Sequence, residues 1–146
     1  STACLSALKT QLEPSVDLFS EVVKEPAFPE DELARLRKRR IAGIGQEKNE
    51  PVQLALRTLP LLMYGDDHAY GIPFTGSGTE ASINALTRDE LVSWHQTWIR
   101  PSNGTLFVVG DTTMEEMLPL LNQYFGAWKE NRMAVPEKNI AVVAMK

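Results

Sequence analysis

Nine prolines among 146 residues set the grain of this chain. Proline lacks an amide donor and its ring crowds the carbonyl four residues back. It is therefore accepted in the first turn of a helix, and elsewhere ends or bends one. Pro14 suits the first turn of a helix whose apolar residues Val16, Phe19, Val22 and Val23 share one face. Pro26 and Pro29 close that helix and open the next, expected over 30–49. Glu30, Asp31 and Glu32 stand there at the positive helix end, and Leu33, Leu36, Ile41 and Ile44 supply a buried stripe. Gly43 and Gly45 lie inside this helix, each costing about 1 kcal/mol relative to Ala, and imply close backbone packing or a weakened turn. Pro51 starts a third helix, over 51–64, with Val52, Ala55, Leu56, Leu59 and Met63 expected inward and Pro60 expected to kink or shorten it.

Turn chemistry follows in Gly65-Asp66-Asp67, Gly71-Ile72-Pro73 and Gly76-Ser77-Gly78. Thr87 to Glu90 reads as a capping box ahead of Leu91, Trp94 and Trp98, a core stripe that Pro101 stops. Thr105 to Val109 is the clearest strand, a short apolar run of the kind buried on both faces. A second capping box, Thr112 to Glu115, leads a helix with Met114, Met117, Leu118, Leu121 and Phe125 on its face and Pro119 as a local distortion. Ala3 to Leu8 alternates loosely and suits a strand or a first helical turn, and Ile140 to Val143 suits a last strand. The expected class is α+β, mostly helical and packed on a small β-sheet. One incomplete domain over 1–146 is expected: a helical part over 1–101, a strand and helix over 103–128, a polar linker over 129–138 and a candidate strand over 139–145.

Composition narrows the function classes. A net charge of -4 argues against a nucleic-acid binder. No apolar run reaches the roughly 18 residues of a membrane span, and no charged segment followed by an apolar stretch marks a signal peptide at Ser1. The single cysteine, Cys4, excludes an internal disulfide framework.

Candidate chemistry is sparse. A catalytic zinc needs three protein ligands and an open position. The two histidines, His68 and His95, stand apart and in no H-x-x-E-H arrangement. Asp66, Asp67 and His68 are ordinary turn residues. Arg35, Arg37, Lys38, Arg39 and Arg40 read as a solvated helical face rather than a substrate patch. Gly76-Ser77-Gly78-Thr79 fits neither phosphate-loop spacing, and no G-x-S-x-G elbow supports serine hydrolysis. Catalytic residues and metal ligands are therefore expected to be none, and substrate-binding residues stay unassigned.

Several phrases in order carry a resemblance. Pro26-Ala27-Phe28-Pro29 followed by Glu32-Leu33 resembles a "P-x-F-x-x-x-E-[FL]" opening of a long helix. Tyr64-Gly65, His68-Ala69-Tyr70-Gly71, Pro73 and Gly76 resemble "YG-x-x-H-P-Y-G-x-P-x-x-G", with Ala69 replacing the usual Pro. Leu86-Thr87 through Leu91, Trp98 through Asn103, and Leu106 through Asp111 resemble "LT-x-x-D-L … W-x-x-P-x-N-x-x-L-x-V-x-G-D". Tyr124-Phe125-Gly126-Ala127-Trp128 resembles "F-G-x-W". Together they resemble an interior segment of the insulinase/pitrilysin family of zinc metallopeptidases.

The resemblance implies a chain that starts after the family's inverted H-x-x-E-H motif. It places the third zinc ligand, a Glu two turns before the next helix's Pro, at Gly43, which cannot ligate. Glu47 falls one turn too late and Glu50 abuts Pro51. It implies further a degenerate, non-catalytic half of a zinc-dependent endopeptidase, a hydrolase of bacterial type. Such a half serves as scaffold and substrate-chamber wall, catalytically silent alone, with the catalytic half or a homologous domain as partner. Zinc and a peptide substrate would belong to the parent, whose compartment is expected to be periplasmic or exported. The alternative is a non-catalytic subunit of the respiratory-complex core or processing-peptidase partner type.

Overall fold

The computed structural model describes residues 1–130, 135–137 and 140. Among them run six α-helices: α1 Leu12–Lys24, α2 Glu30–Asn49, α3 Pro51–Tyr64, α4 Glu80–Ala85, α5 Arg88–Trp98 and α6 Met114–Phe125. Single 3-10 turns occupy Lys9–Gln11 and Pro101–Asn103. The chain forms two compact units. One comprises Ser1–Ala27 with the described part of Val92–Val135; the other comprises Phe28–Leu91 with the described residues from Pro136 on.

The expected α+β class is overturned, because the described residues contain no strand and no sheet. Residues 104–109 carry no regular structure; a strand exists only where a neighbour pairs with its amides and carbonyls, and no described residue does so here. Phe107 is 84% and Val109 97% exposed. Ala3 to Leu8 is likewise exposed and forms no strand with any described residue before the first 3-10 turn. The last expected strand, Ile140 to Val143, lies outside the described residues apart from Ile140.

In the unit around Phe28–Leu91, α2 packs on α3 and α4. Both long helices have the expected bounds, with Pro29 at the N-cap of α2 and Pro51 in the first turn of α3. Ile44 is fully buried, but Leu36 is exposed. Gly43 and Gly45 are not close-packing sites, since a Cβ at either would meet nothing within 4 Å. The register of α3 also departs from expectation. Val52, at 68% exposure, Leu56, Leu59 and Met63 face outward, as does Ala55. Gln53, Arg57, Pro60 and Tyr64 form the covered face instead, at helical spacings of four, three and four.

Pro60 neither shortens α3 nor ends it. The carbonyl that its missing amide leaves unpaired belongs to Leu56, and the Phe74 amide donates to that oxygen at 3.0 Å. A short α4 appears where only a loop was expected. Its signal was present in the sequence: Thr79 accepts from the Ser82 amide at 3.1 Å, and the Ser82 hydroxyl accepts from the Thr79 amide at 3.0 Å. Arg37 closes the other end of α4 by donating to the carbonyls of Ile83 and Leu86.

In the other unit α1 packs on α6, with Val16 and Met117 buried and Phe19 meeting Phe125 edge-on at 6.3 Å. Val22, Met114 and Leu118 from the expected faces are exposed. Lys24 donates to the Tyr124 carbonyl at 2.8 Å, and the Tyr124 hydroxyl reaches Glu13 at 3.4 Å. The box at the start of α5 forms as expected: the Thr87 amide donates to Glu90 at 2.8 Å and the Glu90 amide to the Thr87 hydroxyl at 3.3 Å. In place of the box expected from Thr112 to Glu115, Thr113 caps α6 by accepting from the Glu116 amide, while the Thr112 hydroxyl donates to the Glu116 carboxylate.

Candidate functional site

Gly43 on α2 is the position where the resemblance placed a zinc ligand. It is half-buried, and the space beside its Cα is open. The nearest carboxylate along the helix, four residues on, is Glu47, and it is already engaged. Arg57 of α3 donates through Nη1 to Glu47 Oε2 at 2.6 Å and to Ser77 Oγ at 2.6 Å, and through Nη2 to the Gly78 carbonyl at 2.8 Å. Ser77 in turn donates to Glu47 at 2.7 Å and lies 2.7 Å from the Thr75 hydroxyl. The Arg57 side chain is 9% exposed, Ser77 3%. This arrangement is a charge-assisted clamp between two helices and a loop. Hydrogen bonding from Ser77 holds the Glu47 carboxyl below its usual range; burial opposes this, and Arg57 adds to it.

The histidines play structural parts in separate units. His68 stacks on Tyr64, with ring centres 5.3 Å apart and planes 16° from parallel, and Tyr70 meets both rings. The Tyr70 amide donates to His68 Nδ1 at 3.1 Å, which puts the proton of the neutral ring on Nε2. His95 Nε2 lies 2.8 Å from the Val23 carbonyl near the end of α1. Asp66 and Asp67 are exposed in the turn before His68. The family loop phrase has a backbone cause as well. Gly65 sits at φ +81°, and a Cβ on Gly71 would overlap the Gly65 carbonyl oxygen.

Of the basic cluster, Arg35 pairs with Glu32 on its own helix, and Lys38, Arg39 and Arg40 are exposed. Arg37 leaves that face to cap α4. In the other unit Arg100, 4% exposed, reaches Glu130 at 3.2 Å, and Glu130 accepts from the Ser102 amide at 3.1 Å. Burial alone would raise the Glu130 carboxyl; the Ser102 and Arg100 hydrogen bonds outweigh it and hold the group below its usual range.

No three His, Cys, Asp or Glu side chains among the described residues gather into a metal-holding group. The donor set does not fit a zinc ion: Gly43 offers no ligand atom, and Glu47 is bound into the clamp. Sequence reasoning missed Arg57, Ser77 and Thr75. The available signal was the lone charge inside the apolar run of α3, since an arginine there either reaches a partner or stays in water.

Residues 85–143 match a family model described as the Peptidase M16 inactive domain. An uncharacterized zinc protease of Mycobacterium leprae is 30% identical over 120 residues, covering 82% of this chain and 26% of its own length. A protease of Helicobacter pylori, solved by crystallography, superposes with a TM-score of 0.80 at 21% identity, covering 92% of this chain and 32% of that one. The last likeness concerns the fold alone. The chain thus spans about a quarter of the curated relative and about a third of the solved chain. Motif order and family match define a segment of metallopeptidase type. It is a segment of the insulinase (M16) family, of the half whose family model is described as inactive.

Proposed function

We propose that this chain is the non-catalytic scaffold part of a zinc-dependent endopeptidase, helping to wall the chamber in which a separate catalytic half cleaves peptides. The observation that carries the reading is the match of residues 85–143 to the inactive M16 domain. Gly43 supports it, since the expected ligand position holds a residue with no donor. The likeness to a zinc protease of Mycobacterium leprae supports zinc in the parent protein. On this reading residues 1–146 are one incomplete insulinase-like domain, with 129–138 as its polar linker. Its partner is the catalytic half or a homologous domain. No helix among the described residues is long and apolar enough to cross a membrane.

Metal analysis after equilibration with zinc and removal of excess tests the reading. Substoichiometric zinc on the purified chain, together with zinc and peptidase activity in the full-length parent, is the expected result. One tightly held ion per isolated chain, lost on replacing His68 or His95, would overturn it. A full-length parent with neither zinc nor activity would instead favour a purely structural subunit.

A further inference from the structure

We propose that residues 65–79 form a strap held on α3 at two points that act together, one of them created by Pro60. The first point is a backbone contact. In an unbroken helix the amide of residue 60 would donate to the Leu56 carbonyl. Pro60 has no such amide, and its ring forces the carbonyl outward, where an outside donor can reach it. The Phe74 amide fills that role at 3.0 Å. Pro60 is fully buried, so water does not compete for a gap at its own position. The second point is the clamp, in which Arg57 holds Ser77 and the Gly78 carbonyl while Ser77 holds Glu47.

Leu56 and Arg57 are consecutive on α3, and Phe74 and Ser77 lie three residues apart on the strap. The two points therefore restrain one short piece of chain. Gly65 at φ +81°, with Gly76 and Gly78 at +69° and +76°, provides backbone freedom at both ends of the strap. Between them the strap exposes Tyr70, Ile72 and Phe74. Undocking would move these three side chains together and leave the helices formed, so the strap is a separately releasing unit of the fold.

Residue-resolved hydrogen exchange on the whole chain tests this, read at the Phe74 amide with Ile44 in α2 as reference. Ser77→Ala removes a clamp member and touches nothing at Phe74. It should nevertheless speed Phe74 exchange on the order of tenfold, the scale of one backbone hydrogen bond, with Ile44 unchanged. Pro60→Ala supplies a helical amide that takes the Leu56 carbonyl, and should speed Phe74 exchange to a similar degree with helicity retained. Unchanged Phe74 exchange in Ser77→Ala would overturn the proposal, as would equal acceleration at Phe74 and Ile44. Should Pro60→Ala fail to fold, Ser77→Ala alone decides.

Discussion

Residues 65–79 and 104–109 make an instructive pair. The first stretch is rich in glycine and turn residues, the second in apolar residues of high strand propensity. On composition the first should be loose and the second fixed. The structure reverses this. The glycine-rich stretch is tied to α2 and α3 by the Phe74–Leu56 contact and by the Arg57 clamp. The apolar stretch is irregular and exposed, with no ladder partner among the described residues. Order in each case follows from where the backbone and polar side chains find partners, not from side-chain hydrophobicity alone.

The strongest way to break the contrast is to remove the centre of the clamp. Arg57→Ala removes three charge-assisted hydrogen bonds at once and should give the largest fall in the urea-unfolding midpoint of any single change in the clamp. Ser77→Ala keeps the ion pair but deletes a buried hydroxyl that both donates and accepts, so a local loss of about 1–2 kcal/mol is expected, read as faster exchange at the Phe74 amide with the urea midpoint little changed. Acid offers a third route. The Glu47 carboxyl is depressed in the folded chain, so its contribution is present above the ordinary glutamate value near about 4.3. That contribution is lost as pH falls through the lower folded value. Stability measured from about pH 6 to 3 should therefore fall more steeply in the parent chain than in Glu47→Gln; equal slopes would remove Glu47 from the acid response. The smallest effect belongs to the other stretch. Phe107→Ser should change stability by no more than about 0.5 kcal/mol. It should also reduce self-association in sedimentation experiments, because an exposed apolar edge is sticky whether or not it stabilises the fold.

Much of the helical layout was legible. Charges at 30–32 and the prolines at 29 and 51 place α2 and α3, because a cap or a missing amide acts within one turn and needs no tertiary knowledge. The faces were less legible. In α3 the apolar residues surround most of the helix, so periodicity points nowhere in particular, and the covered side is decided by Arg57 reaching the clamp and by the fit of Pro60. The small sheet was misread for a related reason: Thr105 to Val109 has strand propensity, and pairing depends on a neighbour its own sequence does not name. At the candidate site, the family phrases led to the expectation that Gly43 stands at a ligand position. They gave no hint that Glu47, one turn on, is committed to Ser77 and Arg57.

The backbone reversal at Gly65 and Gly71 bears on how this region tolerates change. A carbonyl oxygen occupies the space where any β-carbon at 71 would go, so alanine is as forbidden there as tryptophan. Across all substitutions, position 71 should give a flat profile of uniform loss, a threshold with no gradient by size or polarity. Asp66 and Asp67, exposed a few residues earlier, should show the opposite, a broad permissive plateau. A mutational scan of this turn would then show a single sharp notch, located by geometry alone.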